Sequence, residues 1–273
     1  MVQSTSTFTS APTTWGEFLD GQTFIINLER KPERLEKSMK RIKEAGFTNI
    51  KRFPAIDGRS ANAIDTMAQL WKTEHGNPQF EPTDGKFNDP INHPHHQAIM
   101  LSHLAVLKEI INNRIPWSIV FEDDVVFHRN WELLAPKYFE ITPPNYDMLY
   151  MGHHCGCGFD AHVARIPVYC LQAYGITLAG AEILYNKIIN EPRGVRTIDC
   201  MLWDYMCEAL QKPIQPPDET ENAPPPRPEG YINWYAWNGE QFLDKTAKKN
   251  PEYAHKDQGL VFQEYDGDKY DEK

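Results

Sequence analysis

The 273-residue sequence lacks the features that mark several large classes of protein. No apolar run approaches the ~18 residues that a membrane-spanning helix needs, so we expect no integral membrane segment. The first basic residue is Arg30, and a secretory signal with a basic start is therefore not predicted. Acidic residues outnumber basic ones by 38 to 28, and the net charge of −10 argues against a general attraction to nucleic acid or anionic lipid.

Cysteine is scarce, and the common phosphate-binding loops are absent from the sequence. The five cysteines, an odd number, show no zinc-finger spacing, which argues against a disulfide framework and favours a reducing compartment. No glycine-rich loop of the GxGxxG or GxxxxGK type occurs. With 41% hydrophobic and 12% aromatic residues, the chain can nevertheless bury a sizeable core. We therefore expect a globular cytoplasmic protein.

The sequence divides into four segments of different composition. Residues 1–20 open with a stretch rich in Ser and Thr, which predicts a flexible lead-in. Residues 21–215 form the predicted main domain. Residues 216–263 hold a proline-rich connector and an aromatic segment that is expected to pack on that domain, and residues 264–273 form an acidic, solvated tail.

Short apolar runs alternate with helical patterns along the main domain. Strands are predicted at 23–28, 50–56, 117–121, 125–127, 147–151 and 173–178, and helices at 32–45, 97–112, 179–189 and 198–210. This alternation predicts an α/β domain with a mainly parallel central sheet flanked by helices. Ligands of such sheets bind at the carboxyl ends of the strands, which is where we look for chemistry.

Three adjacent acidic residues, Glu122, Asp123 and Asp124, follow the apolar run that ends at Phe121. Neighbouring carboxylates repel one another, and a divalent cation would neutralise them. Their oxygen atoms suit Mg²⁺ or Mn²⁺, which keep coordination positions open for a diphosphate. The alternative is an ordinary acidic turn whose carboxylates are satisfied by water or by a helix N-terminus.

Five blocks of the sequence, in order, resemble the GT-A-fold glycosyltransferases of family 25, which include lipooligosaccharide and collagen galactosyltransferases. The blocks are Phe24-Ile-Ile-Asn-Leu-Glu-Arg30 with Arg34, Phe53-Pro-Ala-Ile-Asp-Gly58, Ser102-His103 before Ile119-Val-Phe-Glu-Asp-Asp-Val125, Ala173-Tyr-Gly-Ile176 with Gly180-Ala181, and Thr197-Ile-Asp199. The family usually has a cysteine shortly before the Ser-His pair, where this chain has Ile99 and Met100. The resemblance implies a Rossmann-like nucleotide-sugar-binding domain.

The resemblance also implies the reaction and the residues that carry it. The expected activity is transfer of a hexose or pentose from a UDP-sugar to a hydroxyl of a glycan or glycoprotein, with inversion implied by the family alone. The metal, Mn²⁺ or Mg²⁺, would be held by Asp124, with Glu122 and His255 as further ligands. The residues implied in donor binding are Asn27, Leu28, Arg30, Arg34, Asp57, His103, Glu122 and Asp123.

The catalytic base implied by the resemblance is Asp199, with Asp204 as a second candidate. A carboxylate near neutral pH can take the proton of an acceptor hydroxyl. Asp199 is also a residue typical of a helix N-terminus, where it needs no catalytic role.

Plainer interpretations stand beside the other assignments. Arg30 and Arg34 fit the solvated face of a charged helix, Asp57 fits an Asp-Gly turn, and His103 fits a helix-packing histidine. The aromatic residues considered for stacking on sugars are also typical of a core; they are Trp203, Tyr205, Trp234, Tyr235 and Trp237.

Three other functions compete with glycosyl transfer. A nucleotidyltransferase on a similar sheet would release pyrophosphate. A non-catalytic glycan-binding module would use the acidic triplet structurally. A zinc-stabilised interaction domain would use the histidine and cysteine clusters at 93–96 and 153–157. The partners expected for the transferase are a nucleotide-sugar donor and a glycan or glycoprotein acceptor, without nucleic acid or membrane.

Overall fold

The structure, a computed structural model, describes residues 11–59, 94–154, 162–191, 197–211, 230–238 and 257–264. Within these ranges the helices are α1 (Trp15–Leu19), α2 (Pro32–Glu44), α3 (Pro94–Asn112), α4 (Trp131–Ile141), α5 (Leu178–Ile189) and α6 (Ile198–Gln211). The strands are β1 (Gln22–Asn27), β2 (Ile50–Pro54), β3 (Trp117–Glu122), β4 (Val125–Phe127), β5 (Met148–His154), β6 (Val163–Ala164), β7 (Tyr169–Thr177), β8 (Trp234–Trp237), β9 (Asp257–Gly259) and β10 (Val261–Gln263).

An eight-stranded sheet in the order β2-β1-β3-β7-β5-β8-β6, with β9 beside β5, forms the centre of the described chain. Strand β1 runs parallel to β2 and β3, and β5 runs parallel to β8, whereas β7 is antiparallel to both β3 and β5. The predicted α/β class is confirmed. Because β1, β2 and β3 are parallel, their carboxyl ends meet at one edge of the sheet, and the amino end of the antiparallel β7 lies at that edge too.

Both faces of the sheet are covered, because alternate strand residues point to opposite sides. On one face Phe24, Ile26 and Val120 pack with residues of α3, α5 and α6. On the other face Ile25 and Ile119 pack with residues of α1, α2 and α4. Strands β1 and β3 are therefore buried on both sides, as their near-continuous apolar runs indicate.

Helices α1 and α4 differ from the sequence prediction. Residues 1–20 were expected to be a flexible lead-in, but Thr14 and Glu17 form a capping box that starts α1, and Phe18 is fully buried. Helix α4 contains Pro136 in its interior, a residue that normally breaks a helical pattern. Tertiary packing of buried residues of α1 and α4 against the sheet outweighs these local signals.

The aromatic segment near the C-terminus is part of the sheet itself. Trp234 and Trp237 of β8 are fully buried, and Tyr235 and Tyr205 are nearly so. These rings belong to the core and not to a sugar-stacking surface. Trp203 is half-buried and stacks on Tyr169, with ring centroids 4.1 Å apart.

The predicted connector and tail lie mostly outside the described residues. The described ranges omit residues 212–229, which hold most of the prolines of the predicted connector, and residues 265–273 of the tail. Glu264, the first residue of the predicted solvated tail, instead pairs with Arg41 of α2. Among the described residues no helix is long and apolar enough to cross a membrane.

Candidate active site

A cavity of about 340 Å³ lies at the edge of the sheet where β1, β2 and β3 end. Its walls include apolar side chains from β1, from α3 and from the loops after β1 and β2, and a group of charged side chains. The predicted site residues that line it are Leu28, Arg30, Arg34, Asp57, His103, Glu122, Asp123 and Asp124. The fold thus brings together residues that are up to about a hundred positions apart in the sequence, at the edge where α/β sheets bind ligands.

The acidic triplet forms the turn between β3 and β4 and faces Arg34. One guanidinium nitrogen of Arg34, Nη2, lies 2.8 Å from Asp124 Oδ2 and 3.2 Å from Asp123 Oδ1. Asp123 and Asp124 are 8% and 5% exposed, so these are largely desolvated ion pairs. Arg34 stands near the start of α2 and points inward, and its interpretation as part of a solvated helix face is therefore wrong.

Two polar side chains donate hydrogen bonds to Asp123. Asn27 donates from Nδ2 to Asp123 Oδ2 over 2.6 Å, and the Ser38 hydroxyl donates to the carbonyl of Asp123 over 2.7 Å. Burial raises the pKa of Asp123 to about 6; Arg34 and the Asn27 hydrogen bond oppose this shift, and the neighbouring acids Asp124 and Glu122 add to it. Asn27, predicted to bind the nucleotide, supports Asp123 in this structure.

Glu122 is held at both carboxylate oxygens. His103 Nε2 lies 3.4 Å from Oε1, and Gln263 donates from Nε2 to Oε2 over 3.1 Å. His103 is 1% exposed, and its other ring nitrogen, Nδ1, lies 3.2 Å from the hydroxyl of the buried Tyr174. A chain of polar contacts therefore runs from Tyr174 inside the core to a carboxylate on the cavity wall.

Arg30 and Asp57 form an ion pair on the cavity wall. Arg30 Nε lies 2.6 Å from Asp57 Oδ2, and the side chains are 33% and 28% exposed. The hydrogen bond from Arg30 lowers the pKa of Asp57. Asp57 Oδ1 also accepts the backbone N–H of Arg59, so the predicted Asp-Gly turn is formed. Beside it, Ser102 Oγ accepts the N–H of Ile56 and fixes this loop to α3.

The two predicted bases lie on α6 and do not line the cavity. Asp199 Oδ1 accepts the N–H of Cys200. Burial raises the pKa of Tyr150 and of Tyr169, and the nearby charge of Asp199 adds to both shifts. The charge of Asp204 likewise adds to the rise in the pKa of Tyr169. Because Tyr169 begins β7, both carboxylates lie towards the sheet edge that carries the acidic triplet. Their catalytic role stays a prediction.

Within the described ranges no three His, Cys, Asp or Glu side chains are arranged to hold a metal ion. His255 and most of the histidine and cysteine clusters lie outside those ranges. His153, which is described, is buried and donates from Nε2 to the carbonyl of Trp237 over 3.0 Å.

The carboxylates of the cavity fit a divalent cation shared with a diphosphate. Ions of this kind are held in nucleotide sites by one or two protein carboxylates together with phosphate oxygens. Asp124 and Glu122 supply two such carboxylates on the cavity wall. Arg34 brings a single positive charge to a turn that carries up to three negative ones, and a cation would balance the excess.

Several residues at the site were not predicted from the sequence. Gln263 lines the cavity from β10, which lies far along the chain from β3, and no local pattern marks it. Ser38 and Arg52 contact residues of the site. Ser38 donates to the carbonyl of Asp123, and Arg52 donates to both the side chain and the carbonyl of Asn27. Tyr174 lies within one of the family-like blocks, but only the fold shows that it contacts His103.

The sequence model described as glycosyltransferase family 25 (LPS biosynthesis protein) matches residues 21–167, more than half of the chain. The chain belongs to glycosyltransferase family 25. The matched range contains Arg30, Arg34, His103 and the acidic triplet, all of which line the cavity.

Relatives in family 25 are similar over part of their length. A glycosyltransferase 25 family member of Drosophila pseudoobscura pseudoobscura is 28% identical over 138 residues, which are 47% of this chain and 20% of that protein. Procollagen galactosyltransferase 2 of Mus musculus is 25% identical over 134 residues, covering 48% and 20%. A probable inactive glycosyltransferase 25 family member 3 of Bos taurus is 25% identical over 183 residues, covering 60% and 28%.

These matches span between a fifth and somewhat more than a quarter of the relatives they align with. Among solved structures, a glycosyltransferase involved in the glycosylation of the major capsid of PBCV-1 is similar with a TM-score of 0.35 and 9% identity, covering 63% of this chain and 68% of that one.

Proposed function

We propose that this chain is a divalent-metal-dependent glycosyltransferase that moves a hexose or pentose from a UDP-sugar to a hydroxyl of a glycan or glycoprotein. The observation that carries the proposal is the convergence of the acidic triplet, Arg30, Arg34 and His103 in one cavity at the carboxyl ends of parallel strands. Family 25 membership supports the reaction class, and the lining of this cavity supports the proposal that the reaction occurs there.

Each wall of the cavity suits one part of a nucleotide-sugar. Asp124 and Glu122 would hold the cation, which supplies charge neutralisation at the departing diphosphate. Arg30 and Arg34 add guanidinium groups suited to phosphate oxygens. The rest of the wall is apolar and offers a surface to the base or the sugar ring; it includes Ile26, Ala55, Ile56, Ala98 and Ile99.

The acceptor side of the reaction is assigned to α6. We propose Asp199 as the base that takes the proton of the acceptor hydroxyl, with Asp204 as second candidate and with inversion at the anomeric carbon. The support is positional: Asp199 lies near Tyr169, at the amino end of β7, which pairs with the strand that carries the acidic triplet. An acceptor bound there would lie beside the donor cavity.

The test measures nucleotide release from a panel of UDP-, GDP- and TDP-sugars with and without Mn²⁺, using Asp124→Asn and the wild type. We expect Mn²⁺-stimulated release of UDP that Asp124→Asn reduces by at least a hundredfold, as a lost charge-stabilising group typically does (roughly 10²–10³). The control is Glu36→Gln, an exposed acid on α2 whose replacement leaves the rate unchanged.

The products and a binding measurement separate the competing functions. Release of pyrophosphate in place of UDP would identify a nucleotidyltransferase. Because the Bos taurus relative is described as a probable inactive member, the binding of uridine diphosphate is measured independently of turnover. Glycan binding without any metal-stimulated nucleotide release would leave the chain a binding module and refute the proposed transfer.

A further inference from the structure

Residues 257–264 lie beyond the range of the family match, yet they reach the acidic triplet. Strand β10 pairs antiparallel with β4, which directly follows the triplet, so that Gln263 is opposite Val125. The backbone N–H of Glu264 donates to the carbonyl of Asp124. A segment remote in sequence therefore supplies a backbone hydrogen bond to the turn that carries Asp124, the predicted metal ligand.

An ion pair anchors this segment to α2. The two terminal nitrogens of Arg41 each lie 3.1 Å from one carboxylate oxygen of Glu264, a bidentate arrangement. Lys37 Nζ lies 3.6 Å from the same carboxylate, and the hydrogen bonds from Arg41 lower the pKa of Glu264. Arg41 also donates to the carbonyl of Val125, so one guanidinium joins α2, β4 and the end of β10.

The middle of the segment, residues 260–262, is packed into the core. Leu260, Val261 and Phe262 are buried, and the Leu260 N–H donates to the carbonyl of Met151 over 2.7 Å. Gly259 has a φ of +94°, and Gly152 passes so close to the carbonyl of Val261 that a side chain there would collide with it. These contacts fix the path of β10 and thereby the position of Gln263.

We propose that residues 257–264 form a clip that holds the acidic turn in place, and that Gln263 is a positioning residue for Glu122. Its side-chain amide donates to Glu122 Oε2 while His103 contacts Oε1, so the carboxylate is held in one orientation on the cavity wall. The clip is locked by Arg41 and Glu264 and does not itself take part in chemistry. The positioning role rests on the proposed function, whereas the clip does not.

The clip is tested on the ligand-free protein by hydrogen exchange. We expect Arg41→Ala to speed exchange of the amides of 125–127 and 261–264 about tenfold, since a charge-assisted hydrogen-bonded pair is removed. The matched control is Lys40→Ala on the same helix, whose partner Glu44 is exposed, and it leaves exchange unchanged. The charge-swapped variant Arg41→Glu with Glu264→Arg restores protection. Unchanged protection in Arg41→Ala overturns the clip.

The positioning role is tested by titrating uridine diphosphate with Mn²⁺ into four proteins that form a double-mutant cycle. Gln263→Met keeps the side-chain length but removes the amide, and we expect binding to be about tenfold weaker. In a Glu122→Ala background the same change has no further effect, because Gln263 acts through Glu122. Equal losses in both backgrounds, or no loss, overturn the role.

The two arms separate the inference from the proposed function. If the wild type does not bind uridine diphosphate, the proposed function fails together with the positioning role, while the exchange measurement alone still decides the clip. If uridine diphosphate binds and Arg41→Ala exchanges as the wild type does, the proposed function survives and the clip does not.

Discussion

Burial perturbs the charge state of Asp123 at the site. Its pKa of about 6 in the folded chain lies above the ordinary value of 3.8, because the carboxylate is buried. Between these two pKa values the folded protein binds more protons than the unfolded chain, so the free energy of unfolding falls as the pH rises through this window. Asparagine does not titrate, so Asp123→Asn removes this fall in the free energy of unfolding.

We therefore expect Asp123→Asn to be more stable relative to the wild type at pH 7 than at pH 4, by about 1–3 kcal/mol. The measurement is urea unfolding at both pH values in the presence of a chelator. The substitution also disturbs the packing and hydrogen bonding around Asp123 at both pH values, so only the difference between them reports on the pKa. A difference that does not change with pH would show that burial does not raise this pKa.

The buried hydroxyl of Tyr174 supplies a second prediction. It contacts Nδ1 of His103, whereas the hydroxyl of Tyr150, directly opposite in the pairing of β5 and β7, has no hydrogen-bond partner among the described residues. Tyr174→Phe leaves the histidine nitrogen without this contact and should lower the free energy of unfolding by roughly 1–2 kcal/mol. Tyr150→Phe, the matched control, should be neutral or stabilising. Equal effects of the two variants in thermal or urea unfolding would show that the hydroxyl contact contributes nothing.

At the scale of elements, helix α1 shows how packing outweighs composition. Its five residues are too few to be stable alone. Phe18 stacks on Trp15 and contacts the rings of Phe47, Trp117 and Phe139, and the indole of Trp117 donates to the Phe18 carbonyl. The helix is held by these rings and by the Thr14 cap.

Two variants of α1 with opposite expected effects test this. Phe18→Ala removes a fully buried ring and should cost about 3–5 kcal/mol of unfolding free energy. Gly16→Ala places a methyl group where no atom lies within 4 Å, and the helix preference of alanine should add roughly 0.5–1 kcal/mol. The two are compared by thermal unfolding. If Phe18→Ala is as stable as the wild type, α1 contributes nothing to the stability of the fold and behaves as the flexible lead-in that the composition predicts.

The elements that the sequence predicts best are those whose burial repeats regularly. The apolar runs of β1 and β3 and the one-sided helix α2 after Pro32 have the predicted type and nearly the predicted bounds. Helix α4 was not predicted, because Pro136 interrupts its pattern. Hydrophobic periodicity depends only on residues that are close in sequence. It therefore identifies helices and strands but does not show which strands pair.

At the scale of the whole molecule, many residues that line the candidate cavity could be named from the sequence, but their contacts could not. The family-like blocks identify Arg34, Asp57 and the acidic triplet, and the fold places them in one cavity. Their partners follow from tertiary structure alone: Arg34 forms ion pairs with two acids, and Gln263 reaches Glu122 from the last described strand. No short-range pattern encodes a contact between residues 141 positions apart.

The C-terminal segment completes the sheet, and this leads to a prediction about truncation. The predicted main domain ends at residue 215, yet β8 lies between β5 and β6 in the central sheet, and β10 pairs with β4. A chain that stops at residue 215 loses the fully buried Trp234 and Trp237 and leaves the edge of β5 exposed. Exposed strand edges of this kind favour aggregation.

We expect the chain ending at residue 215 to show no cooperative unfolding transition and to aggregate. A chain ending at Glu264, which lacks only the predicted acidic tail beyond that residue, should unfold like the full chain. The measurement is calorimetric unfolding of both truncations beside the full chain, with Trp234→Ala as a point variant that should lose about 3–5 kcal/mol. A cooperative transition in the shorter truncation would mean that residues 21–215 fold independently, and that the pairing of β8 with β5 adds to a sheet already stable without it.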